Sequence, residues 1–187
     1  RTFWNSGYEM ESEDDLRVLY TCIDRQNFID YDLYYNVIAG MDNRFKNIIY
    51  STVFHSDGTY TIRRIPWDQN YSWGDDFDAG DEDVKNIQYN PALAERWLNE
   101  EVFRNMQAYD KELAADMLDT WKSWREDFLQ EDIWKGYAKA QMDDLVNSGA
   151  FYRDTVRWPD SENVAGTEEI ESFIDVRFRW LPNGAVF

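Results

Sequence analysis

Met41-Asp42-Asn43-Arg44-Phe45-Lys46-Asn47, running into Ile48-Ile49-Tyr50-Ser51-Thr52-Val53-Phe54 and returning through Asp57-Gly58 to Tyr60-Thr61-Ile62-Arg63-Arg64-Ile65-Pro66-Trp67-Asp68, is the stretch that decides the fold. Ile48 to Phe54 is a β-branched and aromatic run and Tyr60 to Ile65 a second, with Asp57-Gly58 between them as a turn signal, so the segment reads as a β-hairpin. Ahead of it, Phe28, Leu33, Val37 and Ile38 recur at helical spacing from Asn27 to Met41. Asn27 is the expected N-cap and Gly40 the expected stop, so this helix ends just before Asp42. A hairpin returns the end of its second strand beside the start of its first. Asp68 is therefore expected close to Asn47 and Asp42.

Outward from the hairpin, Gly74 to Asp83 (GDDFDAGDED) is dominated by carboxylates and broken by two glycines, the pattern of a solvated loop. It does not match an EF-hand, since counting from Asp75 puts Phe77 third and Ala79 fifth, where oxygen ligands belong. Beyond Pro91 the pattern is helical. Leu93, Trp97, Leu98, Val102 and Met106 suit one helix, Leu113, Met117, Leu118, Trp121 and Trp124 a second, and Ile133, Tyr137, Met142, Leu145 and Val146 a third. A last helix runs from about Thr167 with Ile170, Phe173, Ile174 and Phe178 on one face and Pro182 ending it. The expected fold class is α+β and mainly helical, a β-hairpin followed by a helical bundle, in a single domain spanning 1–187. Trp97, Trp121 and Trp124 fall in amphipathic segments and read as core, which argues against a sugar-stacking surface.

Composition narrows the function. The chain has 187 residues, 43% hydrophobic and 17% aromatic, enough to bury a core. A net charge of −18 repels a phosphate backbone, so no nucleic acid partner is expected. The longest uncharged apolar stretch, Leu33 to Met41, is far short of the roughly 20 residues that cross a bilayer, so no membrane span is expected. One cysteine, Cys22, and one histidine, His55, cannot hold structural zinc; a metal here would be bound by oxygen, which favours magnesium, calcium or manganese. Cys22 lies in the apolar stretch Val18 to Ile23 and reads as core, while His55 precedes a turn and reads as exposed. The sequence opens at Arg1 without methionine or leader, which leaves the compartment open and suggests a trimmed chain.

An Asp, an Asn five positions on and a second Asp after a short hairpin correspond to the way protein kinases organise phosphoryl transfer. There an Asp orients the attacking hydroxyl, the Asn binds a divalent ion, and the later Asp binds the ion bridging the phosphates. Arg44 and Lys46 fall where a cation would face the transferred phosphate. Together with Ile65-Pro66-Trp67-Asp68 closing at Gly74, and Ala150 to Pro159 (AFYRDTVRWP) before a helix holding Phe173 and Arg177, the chain resembles the CotH family of atypical protein kinases, named for a spore coat protein. The resemblance runs from roughly Phe28 to Leu181.

The resemblance implies a kinase-like C-terminal lobe whose hairpin carries the active site. It implies transfer of the γ-phosphate of ATP, with Mg2+ or Mn2+, to serine or threonine hydroxyls of a protein, a coat or cell-surface protein among the candidates. By match of motif, Asp42 is the catalytic residue, Asn47 and Asp68 are the metal ligands, and Arg44 and Lys46 the phosphate-binding cations. A basic protein substrate fits the acidity. In a spore former the compartment implied is the spore coat or mother-cell cytoplasm; otherwise it is extracytoplasmic. Only 41 residues precede Asp42, with no lysine among them, too few for a nucleotide lobe. The expectation is the C-terminal part of a longer kinase domain, incompetent by itself. Asn70, where many relatives carry an acid, keeps a second reading open: a catalytically silent structural, coat or cell-surface binding domain with the same fold. A glycosidase using Asp42 and Asp68 is the third, disfavoured because that chemistry has no use for Asn47 and the adjacent cations.

Overall fold

A computed structural model describes residues 2–40, 43, 47–69, 72–74, 101–159 and 165–180. It opens with two short helices, α1 (Thr2–Gly7) and α2 (Glu13–Tyr20). The second is fixed by its start: Ser12 Oγ accepts from Asp15 N at 3.3 Å, and Asp15 Oδ2 in turn accepts from Ser12 Oγ and from Glu11 N. Glu13, Asp14 and Asp15 also place negative charge in the first turn, where the helix dipole favours it. Leu16 and Leu19 are its buried face, and the following turn buries Cys22.

Helix α3 (Arg25–Ile38) lies within the core, with Phe28, Ile29, Tyr31, Asp32, Leu33, Tyr35, Val37 and Ile38 buried. Its cap is Asp24, whose carboxylate accepts from Asn27 N at 3.1 Å, and it ends at Ala39 in the left-handed region. The helix expected over Asn27–Met41 is thus shifted toward the N-terminus. Asn27 serves the sheet instead of the cap: its Oδ1 accepts from Arg64 N at 2.7 Å and its Nδ2 donates to Arg64 O.

The hairpin is as expected, β1 (Ile48–Phe54) antiparallel to β2 (Tyr60–Pro66), with Ile48 opposite Pro66 and Phe54 opposite Tyr60. Gly58 takes the positive φ of the turn. The far edge of β2 is covered. Ile62 N donates to Cys22 O at 2.8 Å and Asp24 N donates to Ile62 O at 2.9 Å, while Asn27 engages Arg64. The buried Arg64 guanidinium lies over the rings of Phe28, Tyr31 and Phe103 and donates to Phe28 O.

Among the described residues five more helices follow: α4 (Glu101–Tyr109), α5 (Leu113–Asp127), α6 (Glu131–Asn147), α7 (Ala150–Arg157) and α8 (Glu168–Trp180). Val102, Phe103 and Met106 of α4, then Leu113, Met117 and Trp121 of α5 at four-residue spacing, enter the core. A polar knot joins these helices to α2 and α3: Asp110 accepts from Tyr20 and from Arg25, which also pairs with Asp116. From α8 come Phe173, Ile174 and Phe178, with Arg177 buried among them. Helix α6 forms where the spacing of Ile133, Tyr137, Met142, Leu145 and Val146 predicts it, but it lies at the surface. None of its residues is buried, and Tyr137, Leu145 and Val146 are exposed, because only its inner side meets α8, through Trp134 against Phe178 and Lys135 paired with Asp175. The acidic loop Asp75–Asp83 and the positions Pro91, Leu93, Trp97, Leu98 and Pro182 lie outside the described residues.

Candidate active-site loops

The site begins where α3 ends. The last carbonyls of a helix have no partner within it and must be satisfied from outside. Here each is. Tyr35 O accepts from Gly40 N at 3.1 Å, Val37 O from Arg177 Nε at 3.3 Å, Asn36 O from Arg177 Nη2, and Ile38 O from Trp73 N at 2.8 Å. A cation from the last helix and a backbone N–H from the loop beyond β2 therefore fix the point at which the chain leaves α3 for Asp42. Gly40 is required there by space. A Cβ would stand 2.8 Å from Tyr35 Cε1 and closer still to Cδ1.

The next described residue, Asn43, is completely buried. Tyr31 OH donates to its carbonyl at 3.1 Å. Its side-chain Nδ2 reaches Trp67 O at 2.5 Å, Asn47 O at 3.3 Å and Asp68 O at 3.4 Å. Asn47 Nδ2 also approaches Asp68 O at 3.5 Å. This is the consequence of the register: with Ile48 opposite Pro66, the residues just outside the pair, Asn47 and Trp67-Asp68, must be neighbours.

The loop after β2 is tied down further along. Gln69 Oε1 accepts from Tyr34 OH at 2.7 Å, and Gln69 O accepts from Ser72 Oγ at 2.6 Å. Burial pushes the Tyr34 phenol above its ordinary pKa, against the hydrogen bond to Gln69, which lowers it. Trp73 then packs against Trp134 and Phe173, and Gly74, with φ +98, lies against the Phe173 ring.

Backbone strain gathers at these junctions. Ala39, Asn47, Asp68 and Trp73 are the described non-glycine residues with positive φ, at 52°, 58°, 51° and 60°. Asn and Asp tolerate the left-handed region; Ala and Trp do so only when their surroundings impose it. All four sit at the two ends of the paired loops.

The metal ligands expected from sequence, Asn47 and Asp68, are thus neighbours, the Asn47 side-chain amide approaching the Asp68 carbonyl, with Asn47 half-buried and Asp68 exposed. Asp42, Arg44, Lys46 and Asn70 lie outside the described residues. Among the described residues no group of three His, Cys, Asp or Glu side chains gathers. A carboxylate and an amide oxygen suit magnesium, which takes one or two protein oxygens and completes its shell with phosphate and water. Sequence reasoning passed over Asn43 and Tyr34 as site-building residues and used Arg177 only as a mark of the family resemblance; Asn43's place inside the Asp42–Asn47 segment was its one signal.

A concavity of about 440 Å³ opens between α6 and α8 and is lined by Trp73, Trp134, Tyr137, Met142, Ile170 and Ile174 among others. It is almost wholly apolar, and Trp73 links it to the loops above. His55 is exposed and paired with Thr61 Oγ1, away from both. No family model, no curated protein and no solved structure matches this chain.

Proposed function

We propose that this chain carries the catalytic loops of a kinase-like phosphotransferase of the CotH type, which transfers the γ-phosphate of ATP to a serine or threonine hydroxyl of a protein. The observation that supports it most is the Asn47–Asp68 adjacency. Two residue types suited to a hard divalent cation, 21 positions apart, meet at the open end of a hairpin and are held by a buried amide.

In this reading Asp68 and the Asn47 amide oxygen hold Mg2+ or Mn2+, which when bound neutralises charge on the transferred phosphate. Asp42 accepts the proton of the substrate hydroxyl. Arg44 and Lys46 meet the phosphate oxygens. An acidic protein of net charge −18 favours a substrate with basic flanks.

The test is magnesium-dependent ATP binding by the full natural chain, measured calorimetrically. Asp68→Ala abolishes it, and Asp42→Asn keeps binding but loses phosphate transfer. Full transfer activity in Asp42→Asn removes that residue from the mechanism.

A catalytically silent domain of a coat or cell-surface layer is the second reading, favoured by the apolar groove between α6 and α8 and by the exposed Tyr152, Val156 and Trp158 of the α7 region. It predicts that the full chain binds no nucleotide with either metal.

A further inference from the structure

We infer that Asn43 is a positioning residue, whose side-chain amide sets the affinity of the Asn47–Asp68 pair for a divalent cation; the inference rests on the phosphotransferase reading.

An NH2 group has two hydrogens, yet Asn43 Nδ2 lies within hydrogen-bonding distance of three carbonyls, those of Asn47, Trp67 and Asp68. One of these precedes β1 and two follow β2, so the single amide closes the open end of the hairpin. A two-stranded ribbon frays at such an end unless something outside it holds the strands together. Both ligand-bearing residues, moreover, have left-handed backbones, and such a conformation persists only where the surroundings over-determine it. Asn43 is placed to do this. It is fully buried, and its own carbonyl is fixed by Tyr31.

The other half of the side chain sharpens the point. Asn43 Oδ1 is buried without a hydrogen-bond partner. An apolar side chain would avoid leaving a buried acceptor unsatisfied, and aspartate, nearly the same shape, would set a carboxylate against three carbonyls. The position therefore needs a donor, and the donor reaches the backbones of the two ligands and of Trp67, which joins Asp68 to β2. Groups one step behind a metal ligand typically change affinity ten- to a hundredfold when removed.

The experiment uses the full natural chain and measures ATP binding as magnesium is titrated. Asn43→Ala and the near-isosteric Asn43→Asp should each raise the magnesium concentration for half-maximal binding about tenfold or more. Tyr20→Phe, which removes the hydrogen bond to Asp110 in the distant polar knot, lowers stability while leaving the magnesium dependence unchanged; it separates positioning from general destabilisation. If either Asn43 variant fails to fold, the wild-type protein decides: addition of magnesium and ATP should slow exchange of the Asn43 side-chain amide protons at least tenfold. A wild type that binds magnesium-dependent ATP, with Asn43 variants of unaltered magnesium dependence or with amide exchange unchanged, overturns the inference and leaves the phosphotransferase reading standing. A wild type that binds no ATP with magnesium overturns that reading, and the inference with it.

Discussion

Replacing Arg177 by methionine tests how the chain is held where it leaves α3. Arg177 is 1% exposed, and its guanidinium donates to Val37 O and Asn36 O. Methionine keeps most of the aliphatic volume and removes the charge and its donors, stranding two helix-terminal carbonyls. Hydrogen bonds from a charged donor contribute about 1.5–3 kcal/mol each, and the bond at 3.3 Å belongs at the lower end. A cation at a helix C-terminus adds up to about 2 kcal/mol. Against this, a buried charge carries a desolvation cost of several kcal/mol that the substitution relieves. The net is a loss of about 3 kcal/mol, or roughly 6–12 °C in Tm for a domain of this size. Arg177→Lys keeps the charge but not the planar fork and recovers less than half of the loss. The assay is urea unfolding at pH 7 followed by circular dichroism, with the slope unchanged from wild type. A loss under about 1 kcal/mol for Arg177→Met would refute the claim that this arginine caps α3.

Other substitutions follow from the same contacts. Gly40→Ala should cost about 1–3 kcal/mol because the new methyl meets the buried Tyr35 ring, and Gly40→Ala with Tyr35→Leu should cost less than the two single changes added together, read by the same unfolding assay. At Asp110, burial pushes the carboxyl up, but hydrogen bonds from Tyr20 and Arg25 outweigh it and hold the carboxyl below its ordinary value. A depressed folded pKa gives stability that is complete above the unfolded value of about 3.9 and lost as pH falls through the folded one. Asp110→Asn should therefore be less stable than wild type at pH 7, with the gap closing below about pH 4; a gap constant with pH would remove the ionised knot from the account. Burial raises the Cys22 pKa, so the thiol should react with a disulfide reagent only as fast as the protein opens; stoichiometric labelling of the native protein within seconds would contradict its placement.

The hairpin and its register were legible because two runs of strand-forming residues flank an Asp-Gly turn, and the nearness of Asn47 and Asp68 follows from that register alone. Helix α3 was legible but misplaced at its start. Asp24 and Asn27 are equally good caps locally, and the choice between them was made by β2, which needs Asn27 for the Arg64 backbone. Helix α2 went unread, although Ser12 and Asp15 form a reciprocal cap, since Leu16 and Leu19 alone make too short a periodic pattern. The pattern of α6 was read correctly as helical, while its burial was not legible: amphipathic spacing gives a face and says nothing about how much of it a neighbour covers. Arg177 and Asn43 were not legible as structural residues, because a buried polar side chain is justified only by partners from elsewhere in the chain.

The most direct measurement is paramagnetic broadening by Mn2+ in the presence of ATP, on the full natural chain with labelled amides. The account predicts that the Asn47 side-chain amide and the backbone amides of Asn47, Asp68 and Gln69 broaden first, at manganese concentrations that leave α7 untouched. Broadening spread over exposed carboxylates on α6 and α7, with none at those four groups, would contradict it.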